Sequence, residues 1–112
     1  TETQADEKWF NRLNEIIQEN ISNTEFSVDQ LTRSVNMSRT LLYAKVKAVT
    51  GLTPNEFIRL VRLRKAAEYL AGNEYKINEI CYMVGFNSPS YFAKCFQNQF
   101  GVLPKDFINN TN

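Results

Sequence analysis

The chain contains no histidine, and Cys81 and Cys95 are its only thiols. Without histidine it lacks the commonest general base and metal ligand. Neither cysteine belongs to a Cys-x-x-Cys pair, so zinc and thioredoxin-like readings fail. Both stand in apolar helical contexts, Ile80-Cys81-Tyr82 and Cys95-Phe96. They are expected to be small buried hydrophobes in a reducing compartment. A reactive thiol would need exposure and a neighbouring cation. The expectation is a non-enzyme with no catalytic residue, no metal, no cofactor and no small-molecule ligand in this segment.

The chemistry left is charge and hydrogen bonding. Net charge is only +1, but it is unevenly placed. Residues 1–25 carry six acids against Lys8 and Arg12, a balance of −4. Residues 26–112 carry eleven bases against six acids, a balance of +5. Two stretches, 38–50 and 88–100, contain no Asp or Glu. All six later acids lie elsewhere, among them Asp29, Glu56, Glu68 and Glu79 in the stretches that precede or link these two. The net balance alone is ordinary surface charge, but an acid-free stretch carrying cations suits an anionic partner.

Helices must hold these stretches, since strand signals are nearly absent and 3.6-residue periodicity runs throughout. A first helix is expected over about 6–21, with Trp9, Leu13, Ile16 and Ile17 inward. A second starts at Ser27, with Gln30 in capping-box position and Val28, Leu31 and Val35 inward. A third follows Ser38 as its cap and reaches Thr50, with Leu42, Val46 and Val49 inward and Gly51 as its stop. Thr53, Pro54 and Glu56 open a fourth, which ends near Ala71 and has little polar circumference. A fifth covers 76–84, with Ile77, Ile80, Cys81 and Val84 inward. Ser88 caps a sixth that starts at Pro89, turns Phe92, Phe96 and Phe100 inward and stops at Gly101. Pro104 opens a short seventh through Phe107 and Ile108, which Leu103 cannot cap.

The pattern is a repeat. Val28, Leu31 and Val35 recur as Ile77, Ile80 and Val84. Ser38, Leu42, Val46, Gly51, Pro54 and Phe57 recur, one residue further offset, as Ser88, Phe92, Phe96, Gly101, Pro104 and Phe107. The repeated unit is helix, tight turn, helix, Gly stop, Pro start. One such hairpin is common in helical cores. Two copies point to a doubled helix-turn-helix, whose second helix lies in the DNA major groove. The linking helix of about 18 residues spans ~27 Å. Two readers on one face of B-DNA must lie about 34 Å apart, so the rod has the right scale. One chain could then read two successive major-groove segments, and its site should be asymmetric.

Outside the inner stripe, the third helix leaves Arg39, Thr40, Tyr43, Ala44 and Lys47, and the sixth leaves Pro89, Ser90, Ala93, Lys94 and Gln97. Ala44, Ser90 and Ala93 permit close approach and can meet thymine methyls or base edges. Lys94 can donate to guanine and Gln97 can pair with adenine. Arg39, Lys45 and Lys47 suit phosphates, and Asn55 and Lys105 are further phosphate candidates.

The stretch GFNSPSYFAKCFQNQFGVLPKDF resembles the second helix-turn-helix of the AraC-type transcriptional regulators. MSRTLLYAKVKAVTGLTPNEFIRLVRLRKAAEYL is similar to that family's first recognition helix and linker helix. The likeness covers about residues 8–108. The wording DEKW, MSR, KVKAVTG and FIRLVRLRKAA is most similar to the C-terminal output domain of hybrid two-component regulators. The resemblance implies base contacts at Arg39, Thr40, Tyr43, Ala44, Pro89, Ser90, Ala93 and Lys94. Many members carry Arg where this chain has Ala44, and Pro89 has no side-chain hydrogen bond to offer. Arg62 sits at the linker-helix arginine and is expected to be structural, tying the two halves together. The resemblance also implies control of DNA binding by phosphorylation elsewhere.

The expected fold is all-α, with seven helices in two helix-turn-helix subdomains joined by a long central linker helix. Residues 1–53 hold the first helix and first helix-turn-helix, 54–71 the linker, and 72–112 the second helix-turn-helix and last short helix. Arg62, Gly51 and Gly101 are the structural positions. The expected function is sequence-specific double-stranded DNA binding in the cytoplasm for transcription regulation. Expected partners are DNA, receiver and sensor-kinase domains of the same longer chain, and RNA polymerase. A start at Thr1 without Met fits a piece of something longer, and there is no signal peptide or membrane-length apolar run. The alternatives are a helical protein-interaction module that has lost specific DNA binding, and thiol chemistry at Cys81 or Cys95.

Overall fold

A computed structural model describes the backbone of residues 2–111 and the side chains of residues 4–108. Over these residues the chain forms seven helices and no strand: α1 Glu2–Glu19, α2 Val28–Val35, α3 Arg39–Thr50, α4 Pro54–Gly72, α5 Ile77–Met83, α6 Pro89–Phe100 and α7 Pro104–Thr111. The all-α reading holds.

Local chemistry sets most helix ends. The hydroxyls of Ser38 and Ser88 accept the N–H groups of Leu41 at 3.1 Å and Tyr91 at 3.2 Å, satisfying donors that a helix start leaves orphaned. At the far ends Gly51 and Gly101 take φ of 77° and 82°, and their N–H groups close onto Lys47 at 2.9 Å and Gln97 at 2.8 Å. Thr53 and Glu56 form a reciprocal box. The Thr53 N–H donates to Glu56 Oε1 at 2.9 Å, and the Glu56 N–H donates to Thr53 Oγ1 at 3.2 Å.

Several ends differ from expectation, and α7 runs past Ile108 to Thr111. α1 begins earlier and stops at Glu19, because Asn20 turns back on it. The Asn20 N–H meets the Ile17 carbonyl at 3.2 Å, and its side-chain amide meets that of Ile16 at 2.8 Å. α4 runs through Gly72, and the left-handed residue beyond it is Asn73, with φ 55°. Asn tolerates that region because its short side chain can hydrogen-bond locally.

The chain divides into two compact units: residues up to Asn20 with Phe26–Val61, and Ile21–Glu25 with Arg62 onward. In the first, Leu13, Ile16 and Ile17 of α1 are buried, as are Val28, Leu31, Leu42, Val46 and Phe57. Burial of each such side chain contributes roughly 1.5–3 kcal/mol. Phe10 packs on Phe57 with ring centroids 5.3 Å apart, and Trp9 Nε1 donates to Met37 Sδ at 3.2 Å. Val49 does not face inward as expected but is 43% exposed. Leu42 and Val46 complete the core side of α3, and Val49 is left with Ala48 on an open cleft of about 480 Å³ beside Asp6, Glu7 and Phe10.

In the second unit, Leu63, Ala66, Leu70, Ile80, Cys81, Val84, Phe92 and Phe96 are buried together. Phe96 meets Phe100 at 4.7 Å, Phe107 at 5.4 Å and Phe92 at 5.9 Å between ring centroids. Arg62 is 7% exposed. Its Nη1 donates to the carbonyls of Ile21 at 2.6 Å and Val84 at 2.8 Å, and its Nη2 to that of Asn23 at 3.1 Å. All three acceptors belong to the second unit. The guanidinium therefore binds the segment after α1 and the end of α5 to α4. Burial pushes its pKa down, but an arginine stays charged.

Candidate nucleic-acid interface

Each unit contains one helical hairpin, α2–α3 in the first and α5–α6 in the second. The turns are tight because each holds a left-handed residue, Asn36 at φ 55° and Gly85 at φ 91°. Each then delivers a Ser-capped helix whose inner side, Leu42 and Val46 or Phe92 and Phe96, is buried. The opposite side of that helix is left to solvent.

On α3 that side exposes Thr40, Ala44 and Lys47, while Tyr43 is half-buried at its margin. The other two basic candidates of α3 are drawn to neighbours. Arg39 pairs with Asp29 of α2. Lys45 Nζ lies 3.7 Å from Asp6 Oδ1 and 4.6 Å from the centroid of the Trp9 ring. Lys45 thus leans onto α1, and Lys47 is the α3 cation standing on the outward face. A cation on an aromatic face is held by the ring quadrupole and by the nearby carboxylate together.

On α6 the outward side exposes Ser90, Lys94 and Gln97, with Pro89 and Ala93 half-buried. Ser90 Oγ lies 3.2 Å from Ser88 Oγ. Pro89 and Ala93 border a hollow of about 220 Å³ with Ile77 and Leu103. The first copy has Tyr43 at the place of Ala93, so the two hairpins differ in relief. Asn55 and Lys105 are exposed and take equivalent places in the first turns of α4 and α7. Helix first turns carry free N–H groups that favour anions.

Two exposed side chains on these faces escaped the sequence reading. Leu41 and Tyr91 are 54% and 51% exposed at matching places in the first turns of α3 and α6. Their signal was present in the repeat, but a large apolar residue next to an inward one is ordinarily assigned to the core.

The thiols are not part of these exposed faces, although Cys95 belongs to α6. Cys81 and Cys95 are free and buried. Burial pushes the Cys81 thiol up, away from the reactive thiolate. Its Sγ sits 3.8 Å from the Phe86 carbonyl oxygen. Among the described residues, no group of three or more Cys, Asp or Glu is arranged to hold a metal ion. No helix there is long and apolar enough to cross a membrane.

A family model described as a helix-turn-helix domain matches residues 31–110, which include α3, α4, α5 and α6. The chain belongs to the AraC-type helix-turn-helix domains. This AraC-type domain is 41% identical over 109 residues to histidine kinase P4 of Formosa agariphila, covering 97% of the chain and 8% of that protein. It is 34% identical over 98 residues to the HTH-type transcriptional regulator MtrA of Neisseria gonorrhoeae, covering 86% of the chain and 33% of MtrA. The chain thus spans a third or less of the length of these relatives. Its fold matches the C-terminal domain of AraT, a response regulator from Geobacillus stearothermophilus, with a TM-score of 0.82 and 26% identity over 91% of this chain and 84% of that one.

Proposed function

We propose that this AraC-type domain binds double-stranded DNA sequence-specifically and so regulates transcription. One observation carries the reading: α3 and α6 expose outward faces without a carboxylate, at the same place in two copies of one hairpin. α3 and α6 are the major-groove readers and take two successive groove segments. Thr40, Tyr43, Ala44, Pro89, Ser90, Ala93, Lys94 and Gln97 meet bases, and Arg39 does so when released from Asp29. Lys47, Asn55 and Lys105 meet phosphates, with Lys45 a weaker contributor because Asp6 and Trp9 hold it.

The domain is the output segment of a phosphorelay regulator in the cytoplasm. The likeness to a histidine kinase and to a response regulator's C-terminal domain supports this. Receiver and sensor-kinase domains of the longer chain are then its regulatory partners, and RNA polymerase is its downstream one.

Selection of bound sequences from random duplex DNA tests the reading, followed by affinity measurements against salt. The expected product is an asymmetric site with two half-sites about ten base pairs apart. The logarithm of affinity should fall with that of salt at about 0.9 per phosphate neutralised. No enrichment, or a flat salt response, would sink the proposal.

A further inference from the structure

Leu41 is an unexpected residue to find on a reader face. It is the third residue of α3 and more than half exposed. Its N–H is fixed by the Ser38 hydroxyl at 3.1 Å, so its backbone is anchored rather than frayed. With Ala44 and Ala48, both exposed, it forms a stripe at helical spacing. A single exposed leucine is ordinary surface. Here the doubled fold repeats the feature: Tyr91 stands at the same point of α6, equally exposed, with its N–H on the Ser88 hydroxyl at 3.2 Å.

Hydrogen-bonding capacity on α3 is small. Asp29 engages Arg39, and Asp6 and Trp9 engage Lys45. Apart from the half-buried Tyr43 at its margin, the first two turns of the outward face therefore present chiefly the Thr40 side chain, the Leu41 isobutyl group and the Ala44 methyl. α6 differs, since Ser90, Lys94 and Gln97 supply donors and acceptors. The major groove displays one apolar group, the C5 methyl of thymine, where cytosine has only a hydrogen.

We propose that Leu41 is a specificity-determining residue that reads a thymine methyl in the half-site taken by α3. The first reader then adds selection of thymine through apolar contact, whereas the second leans more on hydrogen bonds from Ser90, Lys94 and Gln97. This inference rests on the DNA-binding reading above.

The test is a thymine-to-uracil scan of the selected duplex, with wild type and Leu41→Ala bound in parallel. Deoxyuridine removes the methyl and leaves base pairing unchanged. At one thymine of the α3 half-site, uracil should weaken wild type about fourfold, the worth of one methyl-sized group removed from water. Leu41→Ala should bind the thymine duplex about fourfold more weakly and be indifferent to that replacement. Leu41→Met, which keeps an apolar tip, should retain the uracil penalty, and this variant carries the test if the alanine variant does not fold. Specific binding with no uracil-sensitive thymine in that half-site, or Leu41→Ala still sensing it, overturns the role of Leu41 alone. Failure of the wild type to select any sequence overturns the DNA-binding reading with it.

Discussion

A Cβ added to Gly85 would stand 1.4 Å from Nη1 of Arg62 and 2.5 Å from the carbonyl oxygen of Ile21. The turn of the second hairpin and the buried guanidinium therefore occupy adjoining space, and only a residue without a side chain fits. The same Nη1 holds the carbonyls of Ile21 and Val84. Gly85 also takes φ 91°, a region open to glycine and strained for other residues. One position thus answers to backbone conformation and close approach together.

Gly85→Ala should be severely destabilising. The methyl must expel the guanidinium from its carbonyls or distort the turn. Breaking a buried charged group's partnerships costs about 3–5 kcal/mol. Urea unfolding should show a much lower midpoint, and an unchanged midpoint would contradict the packing described.

Arg62→Met removes the donors and leaves the carbonyls of Ile21, Asn23 and Val84 to find others. The Val84 carbonyl is the buried one of the three, and an unsatisfied buried acceptor costs about 1–3 kcal/mol. Arg62→Lys should fall between wild type and Met, because a single ammonium cannot reproduce the planar fork. Equal stability of Lys and Arg at this site in thermal unfolding would refute the three-carbonyl account.

Glu56 carries a pH dependence. Its carboxyl is held below its ordinary value of 4.5, first by the Thr53 backbone N–H and then by the Thr53 hydroxyl. A depressed folded pKa means that the unfolded chain takes up the proton more readily. The capping box is therefore at full strength above that ordinary value and is lost as pH falls through the lower folded one. Wild type should lose melting temperature more steeply than Glu56→Gln on acidification across that window. Parallel melting curves would show that the box contributes nothing.

Two neighbouring lysines should behave differently on DNA. Lys47→Ala should weaken all sequences alike and reduce the salt slope by about one. Lys45→Ala should reduce it less, since Asp6 and Trp9 already engage that ammonium. Lys94→Ala should instead alter which sequence is selected. Equal salt slopes for the two α3 variants would place Lys45 on the phosphates too.

Much of the helical plan was readable before any coordinates, for reasons that particular residues make plain. Ser38, Gly51, Thr53 and Glu56 act within four residues of themselves, so their types announce their work. The repeat could be seen because Ser88, Gly101 and Pro104 do the same work again. Val49 misled because period alone cannot say where a core ends, and α1 leaves that side of α3 open. Lys45 and Arg39 read as free cations because Asp6 and Asp29, their partners, are distant in sequence.

The order of the helices and the capped ends at Ser38, Gly51, Thr53, Ser88 and Gly101, the doubled hairpin and the acid-free reader stretches belong to the sequence itself, because capping, turn conformation and charge are local properties. Which cations remain available, why Gly85 must be glycine, and where Leu41 points were decided only by the tertiary structure. Those depend on contacts such as Arg62 with Ile21 and Val84, 41 and 22 residues away, which form only when the chain has packed around its core.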